Sequence, residues 1–279
     1  MSRIAAVSAV ALLLFAYAAL AADPDVKAAA RKVLEKNKEA IVTVKMVVST
    51  RYVYGGRESH KQERKAEIVG TLLDPSGLAV VSNTAVDPYS DMMDMSMDMG
   101  GENMQIKPES NITDIKIVLA DGTEIPAEFS LKDKDLDLAF VRPKEKLEKP
   151  CPCVNFTKTA EPELLEDVIT IGRMGRELNR VNSMGLGIVQ AVVKKPRTFY
   201  VCDLASGFTG MGCPVFNSKG ETLGLCVIRK NPVKGSGFDM MGGMKPVVLP
   251  SEDLMEIAKQ ALTAKTADAA PVDGKGAAK

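Results

Sequence analysis

The chain has 279 residues, 46% of them hydrophobic, with 36 basic and 36 acidic side chains and a single histidine. That hydrophobic content supports a packed core, and the length suits one large or two small domains. The balanced charge supplies no global basic field, which excludes nucleic acid as a partner held by electrostatics.

Residues 1–21 read as an export signal: Arg3 gives a positive start, Ile4 to Leu14 an apolar stretch, and Ala19-Leu20-Ala21 a small-residue cleavage site. Asp23 and Asp25 follow too closely for this run to stay in a bilayer, and no other stretch approaches spanning length. The expectation is a mature protein outside the cytoplasm, periplasmic or extracellular, with no stable membrane span once the signal is cleaved. Within residues 22–39, Val26, Ala29, Ala30, Val33 and Leu34 recur at helical spacing and predict a short amphipathic helix.

From Ala40 the period changes to two. Strands are predicted at Ala40–Val48, Ala66–Leu73, Leu78–Ser82, Thr113–Ala120, Thr123–Phe129 and Leu136–Val141, which places a first β domain at 40–146. Between the first two strands, a polar, charged hairpin loop is expected from Tyr54 onward, carrying His60 in the run Arg57–Lys65. Residues 143–154 hold three prolines and alternating charges and read as a linker. A second β domain within 147–250 has strands at Asp167–Ile171, Gly185–Val193, Thr198–Asp203, Pro214–Phe216 and Glu221–Ile228. Short strands at regular spacing with turn signals indicate an all-β barrel or sandwich rather than a parallel sheet. A C-terminal helix is predicted over 251–263, capped by Ser251, with Leu254, Ile257, Ala258 and Leu262 on one face. The tail, 264–279, is alanine, lysine, glycine and proline with nothing to bury, and is expected to be disordered.

Of five cysteines, Cys202, Cys213 and Cys226 fall in the second half, where an oxidising compartment would favour one disulfide. Spacing leaves the pairing open. Cys151 and Cys153 straddle Pro152, a separation unsuited to a mutual disulfide or to a two-cysteine redox motif.

These elements, in this order, resemble the protease domain of HtrA/Deg-type trypsin-like serine proteases over about Ala40 to Lys265. Four segments carry the resemblance: Gly77–Val86, Lys132–Ala139, Met184–Gln190 and Asp203–Gly224. It implies two six-stranded antiparallel β-barrels with a cleft between them; the family's usual C-terminal PDZ domain is not expected, because only the helix and tail follow residue 250. It also implies a degenerate catalytic triad. Thr84 stands at the position of the family's histidine, Asp137 matches its aspartate, and Met211 replaces its serine in Thr209-Gly210-Met211-Gly212-Cys213-Pro214. The family's oxyanion-hole amides fall at Thr209 and Met211. A thioether has no proton to lose and forms no acyl-enzyme, so the expected catalytic set is empty. A rewired serine- or cysteine-type peptidase would have to recruit His60 with Asp137 and either Cys213 or Ser206.

Methionine is the unusual component. Met92, Met93, Met95, Met97, Met99 and Met104 form one cluster, and Met240, Met241 and Met244 form another; by the resemblance both are loops at the rim of the cleft. Met93, Met95, Met97 and Met99 alternate with polar residues, so an extended segment would line up their sulfurs, and soft thioethers select Cu(I). The same residues would equally provide an adaptable apolar surface for a peptide. The resulting expectation is an exported, non-catalytic trypsin-like protein that binds a polypeptide or partner protein in the old cleft and needs no cofactor. The alternatives are a periplasmic Cu(I)-binding protein using Met93, Met95, Met97, Met99, Met240, Met241 and Met244, and a residual endopeptidase. Homo-oligomers are usual in the family, but the sequence fixes no oligomeric state here.

Overall fold

The structure is a computed structural model that describes residues 24–54, 57–87, 97–98, 103–104, 107–204, 210–230 and 244–264. The expected export signal, most of the methionine segments and the tail beyond Ala264 lie outside the described residues. None of the described helices is long and apolar enough to cross a membrane.

Helix α1 (Pro24–Asn37) runs into a 3-10 turn at Lys38–Ala40 and then into strand β1 (Ile41–Tyr54). Its apolar stripe buries Val26, Ala30 and Val33, while Lys27, Arg31, Lys32 and Lys36 stay in water. The first barrel continues with β2 (Arg57–Leu72), β3 (Ala79–Ser82), a single helical turn α2 (Asn83–Val86), β6 (Lys107–Val118), β7 (Glu124–Asp133) and β8 (Leu138–Pro143). Strands β4 (Met97–Asp98) and β5 (Asn103–Met104) form a small two-stranded sheet apart from it. The second barrel holds β9 (Asp167–Arg173), β10 (Asn182–Val193), β11 (Phe199–Cys202), β12 (Pro214–Asn217), β13 (Thr222–Lys230) and β14 (Met244–Pro250). Helix α3 (Ser251–Thr263) ends the described chain.

Both barrels close, in the orders β1-β2-β3-β8-β7-β6 and β10-β11-β14-β13-β12-β9, and the strand pairings within them are antiparallel. The expected pair of six-stranded barrels is therefore the fold. One continuous apolar cluster joins them: Ile41, Leu72, Val81 and Phe140 of the first barrel pack in the same core as Ile169, Phe216 and Leu225 of the second. A smaller cluster inside the second barrel holds Val189, Tyr200, Cys202, Cys226 and Val248.

Three local expectations are corrected. The run Arg57–Lys65 is strand rather than loop: β2 pairs with β1 from Ile41↔Thr71 out to Tyr54↔Arg57. Backbone pairing with β1, itself paired on its other side with β6, holds this segment extended without any apolar face. Met244 opens β14, a strand absent from the sequence reading, which pairs with β13 from Gly224↔Pro250 to Lys230↔Met244. Ser251 does not cap α3. It is the first helical residue, fully buried, and its hydroxyl donates to the carbonyl of Thr222 at 3.3 Å.

Candidate functional site: a satisfied aspartate beneath a methionine

Asp137 sits at the end of the β7–β8 turn with φ 59°, a left-handed conformation that aspartate tolerates better than most residues. The turn is built by Asp133, whose Oδ1 accepts the Leu136 N–H at 2.9 Å, while Leu136 is buried beneath it. The Asp137 side chain is 1% exposed and points to the junction of the two barrels.

Three donors converge on its carboxylate. Oδ1 accepts the Thr84 N–H at 2.6 Å; Oδ2 accepts the Ser82 hydroxyl at 2.8 Å and the Ile228 N–H at 2.8 Å. Its carbonyl takes the Asn83 N–H at 3.0 Å as well. The donors come from β3, the helical turn that follows it, and β13 of the second barrel. Hydrogen bonds to an ionised carboxylate are roughly twice as strong as neutral ones, so this acid ties the barrels together.

Ser82 does double duty. Its single proton goes to Asp137, and its oxygen accepts the Ala85 N–H at 3.2 Å to cap the helical turn. The thioether of Met211 lies 3.8 Å from the same oxygen. Thr84 and Asp137 are in direct contact through the backbone, and Met211 meets them through Ser82. The structure thus brings Thr84, Asp137 and Met211 together at the inter-barrel junction. The Thr84 side chain faces inward, and its Oγ1 is buried with no hydrogen-bond partner among the described residues. Of the two residues expected at the oxyanion-hole positions, Met211 is half-buried and Thr209 lies outside the described residues.

The Met211 loop is locked from below. Gly212 has φ +78°; a Cβ there would come within 3.1 Å of the Val69 carbonyl oxygen and 3.2 Å of the Ser82 nitrogen. Its N–H donates to Cys226 O at 2.8 Å and its carbonyl accepts the Thr71 hydroxyl at 2.7 Å, a second tie between the barrels.

Two residues that a rewired peptidase would need are poorly suited to it. His60 lies on β2 as the backbone partner of Tyr52 on β1, ten residues before Gly70, where β2 meets β3. At a rise of about 3.3 Å per residue this is on the order of 30 Å along the strand. Cys213 is 0% exposed, and burial pushes its thiol well above the ordinary range. Cys202 and Cys226 are pushed up to about 12 by the same desolvation. A thiol without its thiolate is no nucleophile. All five cysteines are free thiols in this structure, including the three named for a disulfide. Ser206 lies outside the described residues.

Met93, Met95, Met99, Met240 and Met241 also lie outside them; Met97 and Met104 are backbone partners in the small sheet, and Met244 pairs with Lys230. Among the described residues no group of three or more His, Cys, Asp or Glu side chains could hold a metal ion. Two participants escaped the sequence reading. Ser82 precedes Thr84 by two residues in a segment already singled out, so its hydroxyl was within reach of the argument. The Ile228 N–H was not, because backbone direction in β13 depends on register.

A double barrel with these positions at the inter-barrel junction defines a trypsin-like peptidase domain. Residues 69–225 match the family model described as trypsin-like peptidase domain, and the chain belongs to that family. Among solved structures, it is similar to the HtrA-type protease AlgWS227A with a decapeptide: TM-score 0.56, 14% identity, covering 83% of this chain and 66% of that one. It is similar also to the same protease with a tripeptide, with TM-score 0.53, 13% identity, and coverage of 84% and 63%. This chain therefore spans just under two thirds of the length of those proteins. No curated relative matches the chain significantly.

Proposed function

We propose that this protein is a non-catalytic member of the trypsin-like family that binds an extended polypeptide in the former active-site cleft, outside the cytoplasm. One observation carries the loss of catalysis. The carboxylate of Asp137 is occupied by Ser82, Thr84 and Ile228, with the Met211 thioether beside Ser82. Acyl transfer needs a nucleophile with a removable proton and a base to take it, and this arrangement offers neither. The sole histidine of the chain and the buried Cys213 thiol supply no substitute.

Peptide binding has its own support. Cys226 and Ile228 both direct their backbone groups away from β14: the Cys226 N–H meets Cys213 O at 2.9 Å, and the Ile228 N–H meets Asp137. Pairing with β12 stops at Pro214↔Leu225, and with the Cys226 and Ile228 N–H groups already taken, a strand added to this edge of β13 would have to lie beyond Ile228. A strand edge of this kind accepts an added strand through main-chain hydrogen bonds. The two similar HtrA-type structures were solved with peptides. The leader-like residues 1–21 support export.

The test pairs two assays on the same preparation. Fluorogenic casein should show no turnover above buffer, while labelled extended peptides should bind by fluorescence anisotropy. Casein cleavage that disappears in Asp137→Ala or Cys213→Ala would overturn the non-catalytic reading. Absence of any peptide binding would overturn the binding role.

A further inference from the structure

Resting on the peptide-binding reading above, we infer that the polypeptide this cleft takes is acidic, with a carboxylate side chain docked between Arg229 and Lys245. Arg229 and Lys245 are direct cross-strand partners on β13 and β14. The backbone groups of Cys226 and Ile228 point away from β14, so by alternation those of Arg229 point toward it. The two residues form a hydrogen-bonded pair, with side chains on the same face about 5.5 Å apart. Both side chains are exposed. Like charges set directly opposite on a sheet are destabilising, and neither cation has a carboxylate within ion-pair distance among the described residues.

The position of Arg229 places the pair at the cleft. Its guanidinium reaches across to the first barrel, donating to the Asp135 carbonyl at 3.2 Å, and stacks over the Phe199 ring at 5.3 Å from the centroid. Asp135 is two residues from Asp137 and offers Arg229 its backbone oxygen; its carboxylate forms no ion pair there. The guanidinium is thus held in place by a neutral acceptor and an aromatic face, with its charge uncompensated among the described residues. A planar donor fixed in this way suits a carboxylate. Arg229 follows Ile228 directly, so a strand added beyond Ile228 would run beside Arg229, with Lys245 one strand further across the same face. With a formal net charge of zero, the whole chain has no general attraction for acidic ligands, so any preference must be local.

The experiment uses the full-length chain and three fluorescein-labelled acetylated octapeptides alternating valine with glutamate, glutamine or lysine. Affinities are read by anisotropy at low salt. The glutamate peptide should bind about fivefold tighter than the glutamine peptide, consistent with one well-placed exposed ion pair. The lysine peptide should be the weakest. R229Q/K245Q should erase the difference while still binding the glutamine peptide, and K32Q on α1 should leave it unchanged. Equal affinity for the glutamate and glutamine peptides would overturn the inference, as would a preference that survives R229Q/K245Q. Either result leaves peptide binding standing. Failure of all three peptides to bind overturns that reading too.

Discussion

Asp137→Ala should destabilise the protein severely. The substitution deletes three hydrogen bonds to an ionised acceptor and leaves two backbone N–H groups, those of Thr84 and Ile228, unpaired in a buried junction. Each stranded donor costs about 1–3 kcal/mol. Moving alanine into a backbone with φ 59° adds about 1 kcal/mol. The sum is about 5 kcal/mol, or roughly 10–20 °C in the thermal midpoint of a chain this size. Asp137→Asn should cost about half as much. Asparagine accepts the left-handed backbone, and its amide oxygen can turn to keep the two donors at Oδ2. Its NH2 group then opposes the Thr84 N–H, so one bond is lost. Thermal unfolding followed by circular dichroism measures both variants against wild type. A midpoint for the alanine variant within about 1 °C of wild type would refute the structural role. An asparagine variant as damaged as alanine would show that charge, rather than the number of satisfied donors, holds the junction.

Gly212→Ala should lower the midpoint by about 4–8 °C, corresponding to about 2 kcal/mol, because its Cβ meets backbone atoms of Val69 and Ser82 at a positive φ; an unchanged midpoint would mean that the Met211 loop is not pinned there. Glu67→Gln tests the bidentate pair with Arg180, at 2.7 and 2.9 Å. The hydrogen bond from Arg180 holds the Glu67 carboxyl below its usual value of 4.5, so its stabilisation is present above that pH and lost as pH falls through the lowered value. The variant should therefore be less stable than wild type by about 1 kcal/mol at pH 7, with the gap closing in strong acid; a gap that persists at acid pH would assign the effect to packing.

The barrels were legible in the sequence because turns such as Asp74-Pro75-Ser76-Gly77 and Asp121-Gly122 punctuate runs of alternating apolar residues. Gly77–Val86 and Lys132–Ala139 are likewise distinctive in composition and order, and the structure joins them through the Thr84 N–H and the Asp137 carboxylate. What escaped detection depended on backbone partners. Arg57–Lys65 has no apolar face to signal a strand, yet pairing with β1 makes it one. Met244–Pro250 contains two prolines and a lysine, which mask a strand held by the register of β13. Ser251 looked like a helix cap because serine and nearby acids are the local signal, but Thr222 takes its hydroxyl. The aspartate itself was recognised by position, whereas its set of donors comes from three separate stretches of chain.

The ties between the barrels have a consequence for how the molecule comes apart. Arg173 reaches from β9 to the carbonyls of Val118 and Leu119, at 3.3 and 3.1 Å, and Arg180 of the same hairpin grips Glu67. Together with the Asp137–Ile228 and Thr71–Gly212 bonds and the shared apolar core, they leave neither half able to melt first without stranding polar groups of the other. The two barrels form a single cooperative unit: calorimetry should record one transition, and either half expressed alone should fail to hold a native core.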